Sequence, residues 1–305
     1  MSDSPSMPAL SADPQTLRAE ELLAWRRSLL AQGGTRADLD WLLEMAGGLP
    51  WARLQELHLH PLRPVRLQGS PASLEELWRR HLREAVPLQY LVGLCPWRDL
   101  ELSVTPGVLI PRQETELLVD LALESLPPVS PAELLWADLG TGSGCLAVAL
   151  ARALPQAQGL AVDRSSSALE QAAANLRRLA PAGTVRLVRS DWWGGLQPWW
   201  GALHLVVANP PYIPTAVIAG LEPVVREHEP LLALDGGGDG MEAIRAIAAG
   251  AARALAPGGV LLLEHHHDQS DAVLALLAEA GLQRISAHRD LEGVRRFASA
   301  VRACL

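Results

Sequence analysis

The sequence predicts an α/β protein, in which a small N-terminal helical domain precedes a domain built on a parallel sheet with helices on both faces. Three observations carry this. Between Pro14 and about residue 86, apolar residues recur at helical spacing. From Leu134 onward, strand-like and helix-like runs alternate, the pattern of successive βαβ units. At the junction of the first such strand and helix lies a glycine-rich turn, Asp138-Leu139-Gly140-Thr141-Gly142-Ser143-Gly144.

The elements follow in order. Residues 1–13 are rich in Ser, Pro and Ala and bury little apolar area against their ordering entropy, so a loose tail is expected. Residues 14–90 form the helical domain: Leu17, Leu22, Leu23, Trp25 and Leu29, then Leu39, Trp41, Leu42, Leu43 and Met45, lie at helical spacing, with breaks at Gly33-Gly34, Gly47-Gly48 and Pro61. Asp38 and Ser73 stand where helix caps are expected. Residues 91–112 read as a β-hairpin linker, because Leu100, Leu102 and Val104 alternate with polar residues before Thr105-Pro106-Gly107 and the apolar Val108, Leu109 and Ile110. Residues 113–305 form the sheet domain. Its strands are expected at 134–138, 159–163, 185–190, 203–208, 260–264, 282–288 and 295–302, and its helices from about 144, from about 166 and over 270–280.

Composition excludes several chemistries. The 305 residues are 49% hydrophobic and 20% charged, a balance suited to a folded core. All 26 basic residues are arginine, so a Schiff-base or other catalytic lysine and a P-loop are ruled out. The net charge of -8 argues against broad wrapping of nucleic acid. Cys95, Cys145 and Cys304 are too few and too scattered for a disulfide framework or a tetrahedral zinc site, and Cys145 reads as helix packing. His265-His266-His267 is read as strand residues pointing to opposite faces, which cannot converge on one ion, so no metal is expected. The first seventeen residues carry Asp3 and Asp13 without arginine, the wrong charge for a leader, and no apolar run is long enough to span a membrane. A cytoplasmic protein without membrane attachment or a stable nucleic-acid complex is expected, and a monomer, since no heptad seam is present.

The turn Gly140-Thr141-Gly142-Ser143-Gly144 has its third glycine one position early for the dinucleotide fingerprint, whose place Cys145 takes. Together with Asp138, the Gly-x-Gly-x-Gly spacing resembles the first motif of S-adenosylmethionine-dependent methyltransferases. Asp163 ends the next strand, where a carboxylate can accept from both hydroxyls of a ribose, and Asp191-Trp192 ends the third, suited to an adenine amine and ring. Ligands of open parallel sheets bind across these carboxyl ends. At the fourth, Asn209-Pro210-Pro211-Tyr212 is a turn stiffened by two prolines. The Asn209 amide and Pro210 carbonyl could accept the two hydrogens of a planar amino group, with Tyr212 presenting a flat face. Alignment rather than covalent catalysis would then carry the rate.

Several segments narrow the resemblance. Gln89-Tyr90-Leu91-Val92-Gly93, Leu109-Ile110-Pro111-Arg112-Gln113-Glu114-Thr115-Glu116, Glu229-Pro230, Ala233-Leu234-Asp235-Gly236-Gly237 with Asp239-Gly240, and Pro257-Gly258-Gly259 together look like the signature of the HemK/PrmC family of peptide chain release factor glutamine methyltransferases. The resemblance implies a seven-stranded, Rossmann-like class I methyltransferase domain and a helical substrate-recognition domain. It also implies methyl transfer from S-adenosyl-L-methionine, leaving S-adenosyl-L-homocysteine, to the glutamine amide of the Gly-Gly-Gln motif of release factors. Carried onto matching positions, Gly140, Thr141, Gly142, Gly144, Asp163, Asp191, Trp192 and Asn209 would contact cofactor. Asn209, Pro210, Pro211 and Tyr212 would bind the glutamine, with Asn209, Pro210 and Tyr212 catalytic. Pro111, Arg112, Glu114 and Glu116 would shape the cofactor's surroundings or the domain junction. Gln113 stands where the family usually has proline, and the three histidines where it has small residues. Arg63, Arg66, Arg79, Arg80 and Arg83 could be a partner-binding patch or a solvated helical face. Other readings are a ribosomal-protein glutamine methyltransferase, an adenine-amino methyltransferase of nucleic acid and a non-catalytic S-adenosylmethionine-binding scaffold.

Overall fold

The computed structural model describes residues 15–304, so the loose tail expected over residues 1–13 lies outside the described residues. The chain divides into two compact units, one running to Leu94 and including Pro223–His228, the other Cys95–Glu222 with Glu229–Leu305.

In the first unit, a short strand β1 (Thr16–Arg18) leads into α1 (Ala19–Leu30), α2 (Arg36–Met45) and α3 (Trp51–Glu56). Then come β2 (Pro64–Arg66), α4 (Pro71–Glu84) and α5 (Leu88–Val92). The β1–β2 antiparallel ladder was not legible in the sequence, where Leu17 continues the helical spacing. The caps lie one turn earlier than expected. Thr35 accepts from the Asp38 amide and Ser70 from the Ser73 amide, so Asp38 and Ser73 are the third helical residues. α4 buries Leu74, Leu77 and Trp78, spaced to share one face. Arg79 and Arg80 of the basic patch pair with Glu75, Glu76 and Glu84 on that same helix. A bidentate pair ties Arg26 to the buried Asp40 at 2.6 and 2.8 Å.

The hairpin of β3 (Leu94–Trp97) and β4 (Leu100–Ser103) turns at Arg98-Asp99, not at Thr105-Pro106-Gly107 as expected, and Val108, Leu109 and Ile110 form no strand. The second unit continues with α6 (Glu116–Glu124), β5 (Leu135–Leu139), α7 (Cys145–Ala153), β6 (Gln158–Asp163), α8 (Ser166–Leu179) and β7 (Val185–Arg189). It continues with β8 (Leu203–Ala208), α9 (Glu242–Ala254), β9 (Leu255–Glu264), α10 (Ser270–Glu279), β10 (Gln283–Arg289) and β11 (Arg295–Val301). The seven strands are ordered β10-β11-β9-β8-β5-β6-β7. The sheet is mixed rather than parallel. β11 runs antiparallel to both neighbours, because it returns from β10 through a short turn and no crossover helix intervenes. Successive strand residues serve opposite cores: Val206, Ala208, Leu261 and Leu263 pack with Ile244 and Ile247 of α9 and with Val273 and Leu277 of α10. Leu205, Val207, Val260 and Leu262 pack with α6 and α7. This double-sided burial fixes the register that brings the ends of β5, β6 and β8 together.

Candidate active site

The glycine turn is fastened to the neighbouring strand end. The Gly140 and Thr141 amides both donate to the Val162 carbonyl, at 2.8 and 2.9 Å. Thr141 Oγ1 donates to Asp138 Oδ2 at 2.6 Å, and burial pushes the Asp138 carboxyl up to about 7. Asp138 therefore braces the turn from behind. Gly140 and Gly142 have left-handed φ values of 76° and 55°, and a Cβ on Gly142 would meet nothing nearer than the Gly140 carbonyl at 3.9 Å. Gly144 differs: its Cβ would stand 3.0 Å from Ala172, so this glycine lets α7 approach α8. Asp163 accepts from the Gly142 amide at 3.0 Å and the Ser165 amide at 2.8 Å, which leaves lone pairs on both oxygens for a further donor.

These turns border an open cleft. Gly140, Thr141, Gly142, Asp163, Asp191, Trp192, Asn209 and Pro211 line it, whereas Gly144, Pro210 and Tyr212 do not. Segments to which the sequence assigned no definite contact line it as well: Gly107–Leu109, Arg112 and Thr115, and Pro230, Leu232 and Ala233. Trp192 takes a left-handed φ of 45°, uncommon for a bulky residue, and its ring lies against Gly140, 3.3 Å from where a Cβ would be. Cys145 both lines the cleft and packs on the α6–α7 core, where burial raises its thiol to about 12.

Asn209 belongs to a buried polar chain. Its Nδ2 donates to Thr115 Oγ1 at 2.9 Å, Thr115 Oγ1 donates to Glu264 Oε2 at 2.7 Å, and Tyr212 donates to Glu264 Oε1 at 3.1 Å. The Tyr212 ring is thus committed to packing and to Glu264, whose carboxyl burial raises to about 7. Neither Thr115 nor Glu264 was assigned a role from sequence; the signal was present only as a polar residue at the end of an otherwise apolar β9. Gln269, itself buried, secures the turn: its Nε2 donates to the carbonyls of Tyr212 at 2.9 Å and Gly240 at 3.2 Å. A Cβ on Gly240 would lie 2.3 Å from the Tyr212 carbonyl, which accounts for glycine in that segment.

Arg112 pairs with Glu229 at 2.7 Å, and Trp97 Nε1 donates to the Arg112 carbonyl at 2.7 Å. Glu116 accepts from the Arg98 amide at 2.9 Å. These two members of the arginine-glutamate segment thus make contacts within the protein. The three histidines follow β9 rather than extending it, contrary to the strand placement: His265 is buried with Nδ1 2.8 Å from the His266 carbonyl, His266 Nδ1 sits 2.6 Å from Asp268, and His267 is exposed. Among the described residues, no group of three His, Cys, Asp or Glu side chains is placed to hold a metal.

Comparison with known proteins gives the family. Residues 115–220 match the family model of the methyltransferase small domain. A release factor glutamine methyltransferase of Prochlorococcus marinus is 51% identical, over 93% of this chain and 97% of its own length. The chain belongs to the release factor glutamine methyltransferase family. Another member, from Gloeobacter violaceus, is 46% identical over 90% of this chain and 94% of its own. A solved release factor-specific protein-(glutamine-N5) methyltransferase of Alicyclobacillus acidocaldarius is 31% identical and covers 66% of this chain and 99% of its own, with a TM-score of 0.39. As a member of the release factor glutamine methyltransferase family, this chain is a methyltransferase, and its cleft at the strand ends is the candidate site of transfer. No helix among the described residues is long and apolar enough to cross a membrane.

Proposed function

We propose that this enzyme transfers a methyl group from S-adenosylmethionine to the side-chain amide nitrogen of the glutamine in the Gly-Gly-Gln motif of peptide chain release factors. The observation that carries the reading is the extent of the likeness: the match to a relative named for that activity spans 93% of this chain and 97% of the relative. It thus takes in the helical unit, to which we assign the holding of the release factor. We assign the enzyme to the cytoplasm, where its substrate is made.

The cleft fits the cofactor. Gly142 offers open space where a side chain would intrude, and Asp163 keeps lone pairs for two hydroxyls. Gly140, Thr141, Gly142, Asp163, Asp191 and Trp192 are the residues assigned to hold it. When bound, S-adenosylmethionine supplies a methyl carbon activated by a sulfonium. The chain's own contribution is orientation, because an amide nitrogen has its lone pair delocalised into the carbonyl and is a poor nucleophile. Asn209 lines the cleft with its nitrogen already engaged, so its Oδ1 is the acceptor for one hydrogen of the substrate amide. We assign the Pro210 carbonyl as the second acceptor because it lies between Asn209 and Pro211, which both line the cleft, although Pro210 itself does not. Two acceptors favour the growing positive charge on nitrogen over the uncharged ground state, which is selective stabilisation, and correct alignment is worth up to about 7–11 kcal/mol.

The test is mass spectrometry of a purified release factor after incubation with this protein and S-adenosylmethionine, with Asn209→Ala in parallel. A single methyl on the Gly-Gly-Gln glutamine, absent with the variant, is the expected result. An unmodified factor, with cofactor binding demonstrated, would overturn the substrate assignment.

A further inference from the structure

We propose that Thr115 and Glu264 are positioning residues for methyl transfer, fixing which end of the Asn209 amide faces the substrate. The inference rests on the reading that Asn209 receives the substrate amide, and it adds two residues to that reading.

An asparagine side chain is nearly symmetric in shape but opposite in chemistry at its two ends: NH₂ only donates and the oxygen only accepts. The substrate nitrogen has hydrogens to give and a lone pair needed for the reaction, so an NH₂ turned toward it would be useless. The structure settles the orientation two residues away. Glu264 is 1% exposed, and its two oxygens accept from the Thr115 and Tyr212 hydroxyls. Thr115 has one hydroxyl proton and gives it to Glu264 at 2.7 Å. Toward Asn209 its oxygen can therefore only accept, so the group 2.9 Å away must be the NH₂ end, and Oδ1 is left for the cleft.

The three residues are distant in sequence and adjacent for a topological reason. Asn209 follows β8, Glu264 ends the neighbouring β9, and Thr115 precedes α6, which packs on the same face of the sheet. A neutral partner in place of Glu264 could either donate or accept and would leave the direction of the chain open. Once ionised, a buried carboxylate accepts only, and it then makes the arrangement directional.

The experiment is steady-state methylation of a release factor by the full chain carrying Thr115→Val, Thr115→Ser or Glu264→Gln, with cofactor affinity by calorimetry and thermal melting alongside. Thr115→Val keeps the shape and removes the hydroxyl. Its kcat should fall about 10²-fold, while KM for the release factor and cofactor affinity stay within about threefold of wild type. Thr115→Ser, which restores the hydroxyl, should recover most of kcat. A Thr115→Val enzyme with undiminished kcat overturns the proposal, as does a Thr115→Ser enzyme impaired to the same degree. If Thr115→Val does not fold, Glu264→Gln decides: reduced kcat with intact cofactor affinity supports the proposal, and wild-type kcat overturns it. A wild type that binds cofactor yet leaves the factor unmethylated overturns the substrate assignment, and the role of Asn209 with it. That outcome is distinguishable because the wild type itself is inactive.

Discussion

Trp136 fills the space that a side chain at position 159 would need: a Cβ on Gly159 would lie 2.1 Å from the indole ring. The two residues are register partners on β5 and β6, and the fully buried Trp136 lies over the glycine in the α6–α7 core. Gly159→Ala should therefore cost about 1–3 kcal/mol through overpacking, read as a lower melting temperature with normal cofactor affinity per folded molecule. An unchanged melting temperature would show that Trp136 yields freely.

The glycines of the turn separate by what they face. Gly142→Ala meets open space, so its cost to folding is confined to the left-handed backbone, about 1–2 kcal/mol, while cofactor affinity should drop more than about tenfold. Gly144→Ala pushes on Ala172 of α8 and should act chiefly on the melting temperature. Calorimetry and melting on both variants check this; identical profiles would contradict it.

Asn209→Asp should be nearly as damaging as Asn209→Ala. A carboxylate at 209 and Glu264 would compete for the single proton of Thr115. We expect kcat to fall about 10²–10³-fold, the range for losing one aligned hydrogen-bonding group, with the release factor KM little changed. Single-turnover assays would reveal it, and a variant retaining substantial kcat would show that the amide NH₂ is dispensable.

Burial raises both the Asp138 and Glu264 carboxyls to about 7, with the Thr141 hydroxyl opposing it at Asp138 and the Thr115 and Tyr212 hydroxyls opposing it at Glu264. Folded values above the unfolded ones mean that the native state holds these protons longer. Stability from the two groups is full below the ordinary carboxylate range and declines as pH rises through about 7. Asp138→Asn and Glu264→Gln should each flatten the melting temperature against pH between about 4 and 7, and an unaltered slope would count against this.

Catalysis should depend on pH in the opposite sense. Protonation of Glu264 puts a hydrogen on an oxygen that must accept from Thr115 or Tyr212, so kcat should rise with pH through about 7. Around the carboxyl, Glu114 raises its pKa and Arg296 lowers it, while His265, next in the chain, is held toward its neutral form by burial. Glu264→Gln should lose this ascending limb. A limb that persists in the variant would assign it to another group.

The order of strands and helices was legible because apolar runs of strand length alternate with amphipathic ones, and the β8 and α8 boundaries fall where the pattern places them. α9 escaped notice: alanine offers little contrast between faces, and Gly250 interrupts a run whose buried residues are in fact helically spaced. A Cβ there would lie 2.2 Å from Trp193, so the glycine serves an indole distant in sequence. The residues at the strand ends could be named from their own motifs. Thr115 and Glu264 could not be given roles, since what makes them matter is a hydrogen bond across 149 positions, which no local spacing encodes.

β11 lies between β9 and β10, so the strand that follows last in sequence occupies an interior slot of the sheet. Until it arrives, β9 offers a free edge carrying Val260, Leu261, Leu262 and Leu263, all buried in the finished protein. An unpaired apolar edge is a template for intermolecular pairing and aggregation. The final hairpin thus acts as an internal seal: a nascent or nicked chain lacking Arg295–Val301 would be prone to self-association however well its cofactor turns had formed.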